Sequence, residues 1–337
     1  MEKQLDLIIN KYINEGYFPS AVCHVFNENK TFYSKAFGNA RTDTIFDVAS
    51  LSKIVTATEI LKLIDEGKIS LDGEIKTYLP EINNYKTLKE RLKNVTVEQL
   101  LTHNSGIIDW YPFYGEEGTV FDVMDKVIGK YEKFEGTLYS DLNFMLLGEI
   151  IKSVTGLTLE ESLDKYIKEP LSIKNMFYCP KGRGNIAPTS FGNIIEEEMC
   201  RERNVEFHNW RSHDEAFVGE VNDGNAYYFF KGAAGHAGIF ADVQAYVDLC
   251  RYYMTSDSEL ISSSMKERRE GRGLGWQIAE YYPYGCGHSG FTGTSLWICQ
   301  EKNIAAVTFT NRLYTRRETK NINNFRKEIH NCIFNNI

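Results

Sequence analysis

The sequence predicts a mixed α/β fold of the α+β kind: an antiparallel sheet built from both chain ends, flanked by helices, with a mainly helical segment inserted between them. Three observations carry this expectation. Residues 21–26 and 31–37 read as two strands joined at Asn27-Glu28-Asn29-Lys30, and residues 294–299 and 304–310 form a second apparent hairpin around 300–303. An amphipathic helix stands at each end, with Leu5, Ile8, Ile9, Tyr12 and Ile13 before Gly16, and Ile322, Phe325, Ile329 and Ile333 on one closing stripe. The middle is helical. Thr96-Val97-Glu98-Gln99 and Thr158-Leu159-Glu160-Glu161 are capping-box starts, and Met145, Leu146, Leu147, Ile150 and Ile151 give a helix over 142–154 that stops at Gly156. Residues 178–232, rich in Gly, Asn and aromatics, carry no readable period. The expected division is an α/β domain from residues 1–80 and 233–337, and an inserted helical subdomain from 81–232.

Length and composition fit this plan. The 337 residues suffice for one large composite domain or two smaller ones, and 42% apolar with 25% charged residues is ordinary for a globular enzyme. A net charge of −8, from 38 basic and 46 acidic residues, argues against nucleic acid or an anionic membrane as partner. The one dense basic run, Lys266 to Arg272, is broken by Glu267 and Glu270 and reads as a solvated face. Seven scattered cysteines without a CxxC pair suit a reducing compartment better than a disulfide framework. Residues 1–13 are charged and amphipathic, without the apolar stretch of a secretory signal, and no apolar run reaches the ~18 residues of a membrane helix. The expectation is a cytoplasmic protein with a small-molecule substrate and neither nucleic acid nor membrane as partner; its oligomeric state is not encoded in any visible pattern.

The chemistry concentrates in three places. Ala49-Ser50-Leu51-Ser52-Lys53 precedes an apolar-periodic stretch with Ile54, Ala57, Ile60, Leu61 and Ile64. Positions i and i+3 share a helix face, so Lys53 can touch Ser50, while Ser52 points elsewhere. A serine needs such a neighbour to lose its proton at neutral pH. Tyr139-Ser140-Asp141 stands just before a helix start, where a tyrosine can relay a proton. Gly287-His288-Ser289-Gly290-Phe291-Thr292-Gly293 leads into the strand from 294, and its glycines let backbone approach a substrate and donate N–H groups. The α/β-hydrolase elbow G-x-S-x-G is excluded because Phe291 stands where the last glycine would be. His208, His213 and Asp214 lack metal-ligand spacing, so neither metal nor cofactor is expected. His103 and His236 read as satisfied buried histidines, and Trp276 as core or pocket wall. Trp110, Tyr111, Phe113 and Tyr114 suit a cleft lining and loop packing equally well.

The order of the three motifs resembles the serine β-lactamase and penicillin-binding superfamily, with its SxxK, S-D-N and K-T-G signature. It is most similar to the class C-like branch of DD-peptidases, esterases and amidases, where the second motif starts with Tyr and the third often with His. The likeness extends through Phe46-Asp47-Val48-Ala49, Leu100-Leu101-Thr102-His103-Asn104-Ser105-Gly106, Gly235-His236-Ala237-Gly238 and Gly273-Leu274-Gly275-Trp276. The resemblance implies a β-lactamase/transpeptidase-like fold and a serine hydrolase that works through an acyl-enzyme. It assigns Ser50 as nucleophile, Lys53 and Tyr139 as proton shuttles, the N–H groups of Ser50 and Phe291 as oxyanion hole, and Gly290, His288 and Asp141 to the substrate side. Two positions depart from many relatives: Asp141 where Asn is common, and His288 where Lys is common. Asp141 should hold Lys53 charged, leaving Tyr139, its pKa lowered by that cation, as the base. His288 in place of Lys should disfavour carboxylate-bearing β-lactams or D-Ala-D-Ala and favour a neutral ester or amide, a peptidoglycan fragment among the candidates. A D-Ala-D-Ala carboxypeptidase or β-lactamase, and a binding protein without turnover, remain the alternatives.

Overall fold

The computed structural model describes residues 1–278 and 281–336. Its strands are β1 Ala21–Phe26, β2 Thr31–Phe37, β3 Phe46–Asp47, β4 Met176–Tyr178, β5 Ile239–Ala241, β6 Cys286–Ser289, β7 Ser295–Cys299 and β8 Ile304–Thr310. Five of them make one antiparallel sheet in the order β2-β1-β8-β7-β6. The two chain ends meet in its middle, where Ala21 pairs with Thr310 and Phe26 with Ala305.

Both faces of this sheet are covered, which explains why its central strands read as unbroken apolar runs. Successive side chains point to opposite faces. Ala21, Cys23 and Val25 turn toward the terminal helices Glu2–Asn14 and Asn323–Phe334. Val22 and Phe26 turn toward the larger core beneath helices Ser52–Asp65 and Val243–Thr255. β2 is an edge and buries only Tyr33, its exposed Thr31 and Ser34 giving the polar rim an edge strand needs. The opposite edge differs from the sequence reading. Cys286–Ser289, expected as a glycine-rich lead-in, is a strand in its own right, pairing His288 with Leu296. The run is too short and glycine-broken to show period-2 patterning. Gly287 is required there because a Cβ would lie 2.5 Å from the Tyr282 ring.

The middle of the chain supplies helix Asp141–Thr155, buried along most of its length and closed by Gly156 in the left-handed region. Full burial of each Leu or Ile on it contributes roughly 1.5–3 kcal/mol. Thr96 and Thr158 form the reciprocal capping boxes their sequences predict. β4 joins β5 and β3 in a three-stranded sheet, so the central segment is tied to both chain ends. Among the described residues no single helix is long and apolar enough to cross a membrane.

Candidate active site

Ser50 occupies a short 3-10 turn, Ala49–Leu51, that feeds into helix Ser52–Asp65. Ala49 has φ of 48°, a left-handed conformation that costs a non-glycine residue of order 1–3 kcal/mol. Asp47 holds it there: one carboxylate oxygen accepts the Ala49 N–H at 2.9 Å, and the other accepts the Asn222 N–H at 2.7 Å. Burial pushes the Asp47 carboxyl up to about 6. Thr292 and Thr294 donate hydroxyls to the carbonyls of Asp47 and Val48, at 2.7 and 2.9 Å, lashing the nucleophile turn to the glycine-rich motif. Ser52 is buried and accepts the Ile239 N–H, so the second serine has a structural task.

Lys53 is fully buried, and its ammonium is surrounded by polar groups. It donates to Ser50 Oγ at 2.9 Å and to the His236 carbonyl at 3.2 Å, and stands 2.7 Å from Asp141 Oδ1. Burial alone would push its pKa down, but Asp141 and the Tyr139 phenol outweigh it and hold the pKa above the ordinary lysine value. Tyr139 contacts both Lys53 and Ser50, and burial pushes its pKa up. Lys53 pulls the other way without winning, and Asp141 adds to the rise. This corrects the expectation of a tyrosine activated by the neighbouring cation: at rest the phenol keeps its proton. The ring is boxed in by His103 at 4.6 Å, His288 at 6.0 Å and the Arg272 guanidinium at 5.0 Å. Arg272 therefore belongs to the site and not to a solvated basic face. His103 Nδ1 accepts the Ser140 N–H at 3.0 Å, which fixes the loop carrying Tyr139.

Ser50 opens into a cavity of about 350 Å³ lined by Tyr139, Asp141, Trp110, Gly290 and Phe291 among others. Gly290 must be glycine, since a Cβ would sit 2.0 Å from Thr294 Oγ1 and 2.6 Å from the Val48 carbonyl. The Gly290 carbonyl, on the peptide whose N–H at Phe291 is the expected oxyanion donor, accepts Arg326 Nη2 at 2.8 Å, while the Phe291 carbonyl accepts Arg312 Nε at 2.7 Å. His288 departs from expectation. Its side chain is wholly buried, outside the cavity lining, with Nδ1 against its neighbour's carbonyl at 3.0 Å. Burial first, then Lys53 and Arg272, push its pKa well below the ordinary value. The cations that do face the cavity are Arg312 and Arg326. Arg326 donates to the Gly290 and Thr294 carbonyls at 2.8 and 3.1 Å, leaving Nε without a partner. Burial and the neighbouring Arg326 push the Arg312 pKa down to about 10.

The beta-lactamase family model matches residues 5–329. The chain belongs to the beta-lactamase family. Two curated relatives are similar over most of its length. A Salmonella typhimurium protein provisionally named a D-alanyl-D-alanine carboxypeptidase is 26% identical, covering 92% of this chain and 82% of that protein. An N-acetylmuramyl-L-alanine amidase of Bacillus subtilis is 25% identical, covering 93% of this chain and 81% of that protein. Among solved structures, the octameric penicillin-binding protein homologue from Pyrococcus abyssi shares the fold with a TM-score of 0.73 at 20% identity, over 99% of this chain and 77% of the other. This beta-lactamase-family chain is a serine hydrolase.

Sequence reasoning missed the far wall of the cavity: Glu196, Asn222 and Asp223 all fall in the unassigned stretch 178–232. Asp223 accepts from His236 Nε2 at 2.9 Å and from the Ala226 N–H at 2.7 Å. Burial would raise its pKa, but His236 and Lys53 hold it below the ordinary value. Glu196 accepts the Gly224 N–H at 2.7 Å, and burial pushes it up to about 8. The aromatic loop divides: Trp110 lines the cavity while Tyr111 and Phe113 are buried packing. Asp141, Asp223 and His236 bring possible metal-ligand atoms within 4.8 Å of one another. Lys53 already supplies the cation at Asp141, and His236 Nε2 is engaged by Asp223, so these donors suit an internal ion network better than a metal.

Proposed function

We propose that this chain hydrolyses an ester or amide bond of a small peptide-like molecule through an acyl-enzyme on Ser50, with a peptidoglycan fragment as the first candidate. The observation that carries the reading is Ser50 Oγ open to a cavity of about 350 Å³ while accepting a 2.9 Å hydrogen bond from a buried ammonium. The charges of the cavity support the peptide-like class. Asp141, Asp223 and Glu196 line it together with Arg312 and Arg326, and neither guanidinium has a carboxylate partner among the described residues. The names of the amidase and carboxypeptidase relatives point the same way. All seven cysteines are unpaired, which supports a reducing compartment, the cytoplasm.

A second reading, a D-Ala-D-Ala carboxypeptidase or β-lactamase, is favoured by the same two guanidiniums. They offer a carboxylate the cation that His288 does not.

A fluorophosphonate should add one covalent mass to the peptide containing Ser50, and Ser50→Ala should abolish it; labelling that survives refutes the nucleophile. Muropeptides, D-amino-acid amides, p-nitrophenyl esters and nitrocefin then separate the two readings. Nitrocefin turned over fastest would establish the second. In either case Arg312→Ala should raise KM for carboxylate-bearing substrates roughly 10–150-fold, the worth of a charge-assisted hydrogen bond, and leave neutral esters nearly unchanged.

A further inference from the structure

We propose that Asp141 is the proton acceptor for acylation, reached through Lys53. The proposal rests on the reading of Ser50 as nucleophile. Lys53 Nζ is 2.9 Å from Ser50 Oγ and 2.7 Å from Asp141 Oδ1, and it also meets the Tyr139 phenol, which is protonated at rest, and the His236 carbonyl at 3.2 Å, which cannot take a proton. A serine proton passed to Nζ therefore has the Asp141 carboxylate within ion-pair contact.

The groups nearest the reacting serine offer no free base at rest. Lys53 and Tyr139 both keep their protons above the ordinary lysine and tyrosine values. The other groups around them are Asp223 and His236 on one side, which are engaged with each other, and His103, His288 and Arg272 around the Tyr139 ring. Asp141 keeps 18% of its side chain exposed to the cavity, whereas Lys53 has no exposure. A substrate that fills the cavity covers this remaining exposed surface. An ion pair taken out of water is penalised as two charges, while the neutral amine and carboxylic acid are not. Substrate binding thus drives the proton from Lys53 to Asp141 at the moment Ser50 needs a base.

The step balances. Lys53 passes one proton to Asp141 Oδ1, and rotation about Cε–Nζ turns the freed lone pair to Ser50. As Oγ bonds the acyl carbon, its proton goes to Nζ and the carbonyl electron pair moves onto oxygen, facing the oxyanion N–H groups. Collapse breaks the bond to the leaving group, which takes the Tyr139 proton. Lys53 refills Tyr139, and Asp141 refills Lys53. Asp141 acts through Lys53 and is a positioning residue that stores the proton.

The pH profile of kcat/KM for p-nitrophenyl butyrate, with spontaneous hydrolysis subtracted, decides this. If Asp141 accepts the proton, the wild-type profile is level between pH ~6.5 and ~9. If deprotonated Tyr139 or Lys53 is the base, the rate climbs about tenfold per unit over that range, because both lie above it. Asp141→Asn then sharpens the test through the sign of a shift. With the acceptor gone, neutral Lys53 must serve, so an acid limb appears and moves alkaline by more than one unit, while Asp141→Glu keeps the level profile. Were Tyr139 or Lys53 the base already, removing the negative charge would lower its pKa and move the limb toward acid. A limb that moves to acid, or stays in place, overturns the proposal. So does a climbing wild-type profile, which requires no variant to fold. Ester turnover by Ser50→Ala would instead refute the nucleophile, while an inactive Ser50→Ala beside a climbing wild-type profile refutes the role of Asp141 alone.

Discussion

The two walls of the cavity are made by different kinds of chain. Ser50, Lys53, Tyr139 and Asp141 stand where two regular helices begin, Ser52–Asp65 and Asp141–Thr155, so local geometry sets their mutual placement. Glu196 also sits on a helix, Ile194–Glu202, but Asn222 and Asp223 lie outside any regular element and are placed from elsewhere: Asp47 holds the Asn222 N–H, the Glu196 carboxylate holds the Gly224 N–H, and His236 holds the Asp223 side chain. A group placed by a helix is specified by its neighbours in sequence. One placed by side-chain-to-backbone bonds is specified by residues far away, and it moves when any of them changes.

Gly290→Ala tests the first kind of wall most severely. The new Cβ would overlap Thr294 Oγ1 and the Val48 carbonyl, both of which fasten the nucleophile turn. We expect kcat to fall about 10²–10³-fold, the scale of a lost oxyanion donor, with slower fluorophosphonate labelling and a folded protein by circular dichroism. Turnover within a few-fold of wild type would place the oxyanion donors elsewhere.

Asp47→Ala should reach both walls at once, since this carboxylate holds Ala49 on one side and Asn222 on the other. Losing two buried hydrogen bonds should cost ~2–4 kcal/mol, read as a lower urea midpoint at unchanged m. If stability falls but labelling of Ser50 keeps its wild-type rate, the strained turn is held by the threonines alone.

The smallest effect belongs to the far wall. Glu196 in the unfolded chain titrates near ~4.3, while in the folded protein burial raises it to about 8. Across that window the unfolded chain binds fewer protons than the folded one, so stability falls as pH rises. Glu196→Gln should lose less Tm than wild type between pH 6 and 8. Glu59, also pushed up to about 8 by burial, leaves a residual slope in the variant. Identical slopes in both proteins would mean that Glu196 is ionised across the range.

The same contrast explains what the sequence could tell. The SxxK spacing at 50 and 53 is a statement about one helical face, and the hairpins 21–37 and 295–310 are pairs of short apolar or β-branched runs on either side of a polar turn; both are local and both were legible. Tyr139 was legible as a residue but not in its charge state, because that balances Lys53 against burial and Asp141, quantities set by packing. His288 was misplaced for a related reason: the motif fixes its strand position, while which side of the strand faces the cavity depends on the β6–β7 register. Asp223 was invisible, since nothing in an aperiodic stretch announces which carboxylate a distant histidine will hold.

Arg326 gives the fold a clock. The nucleophile turn is made early in synthesis, but the turn that should hold its oxyanion is tied by two carbonyl bonds to a side chain in the last helix. The central strand β8 also arrives late, and β1 has no inner neighbour until it does. A ribosome-bound chain therefore carries Ser50 and Lys53 without the strand edge that would put them to use. A chain truncated before Arg326 would leave the Gly290 and Thr294 carbonyls without this donor.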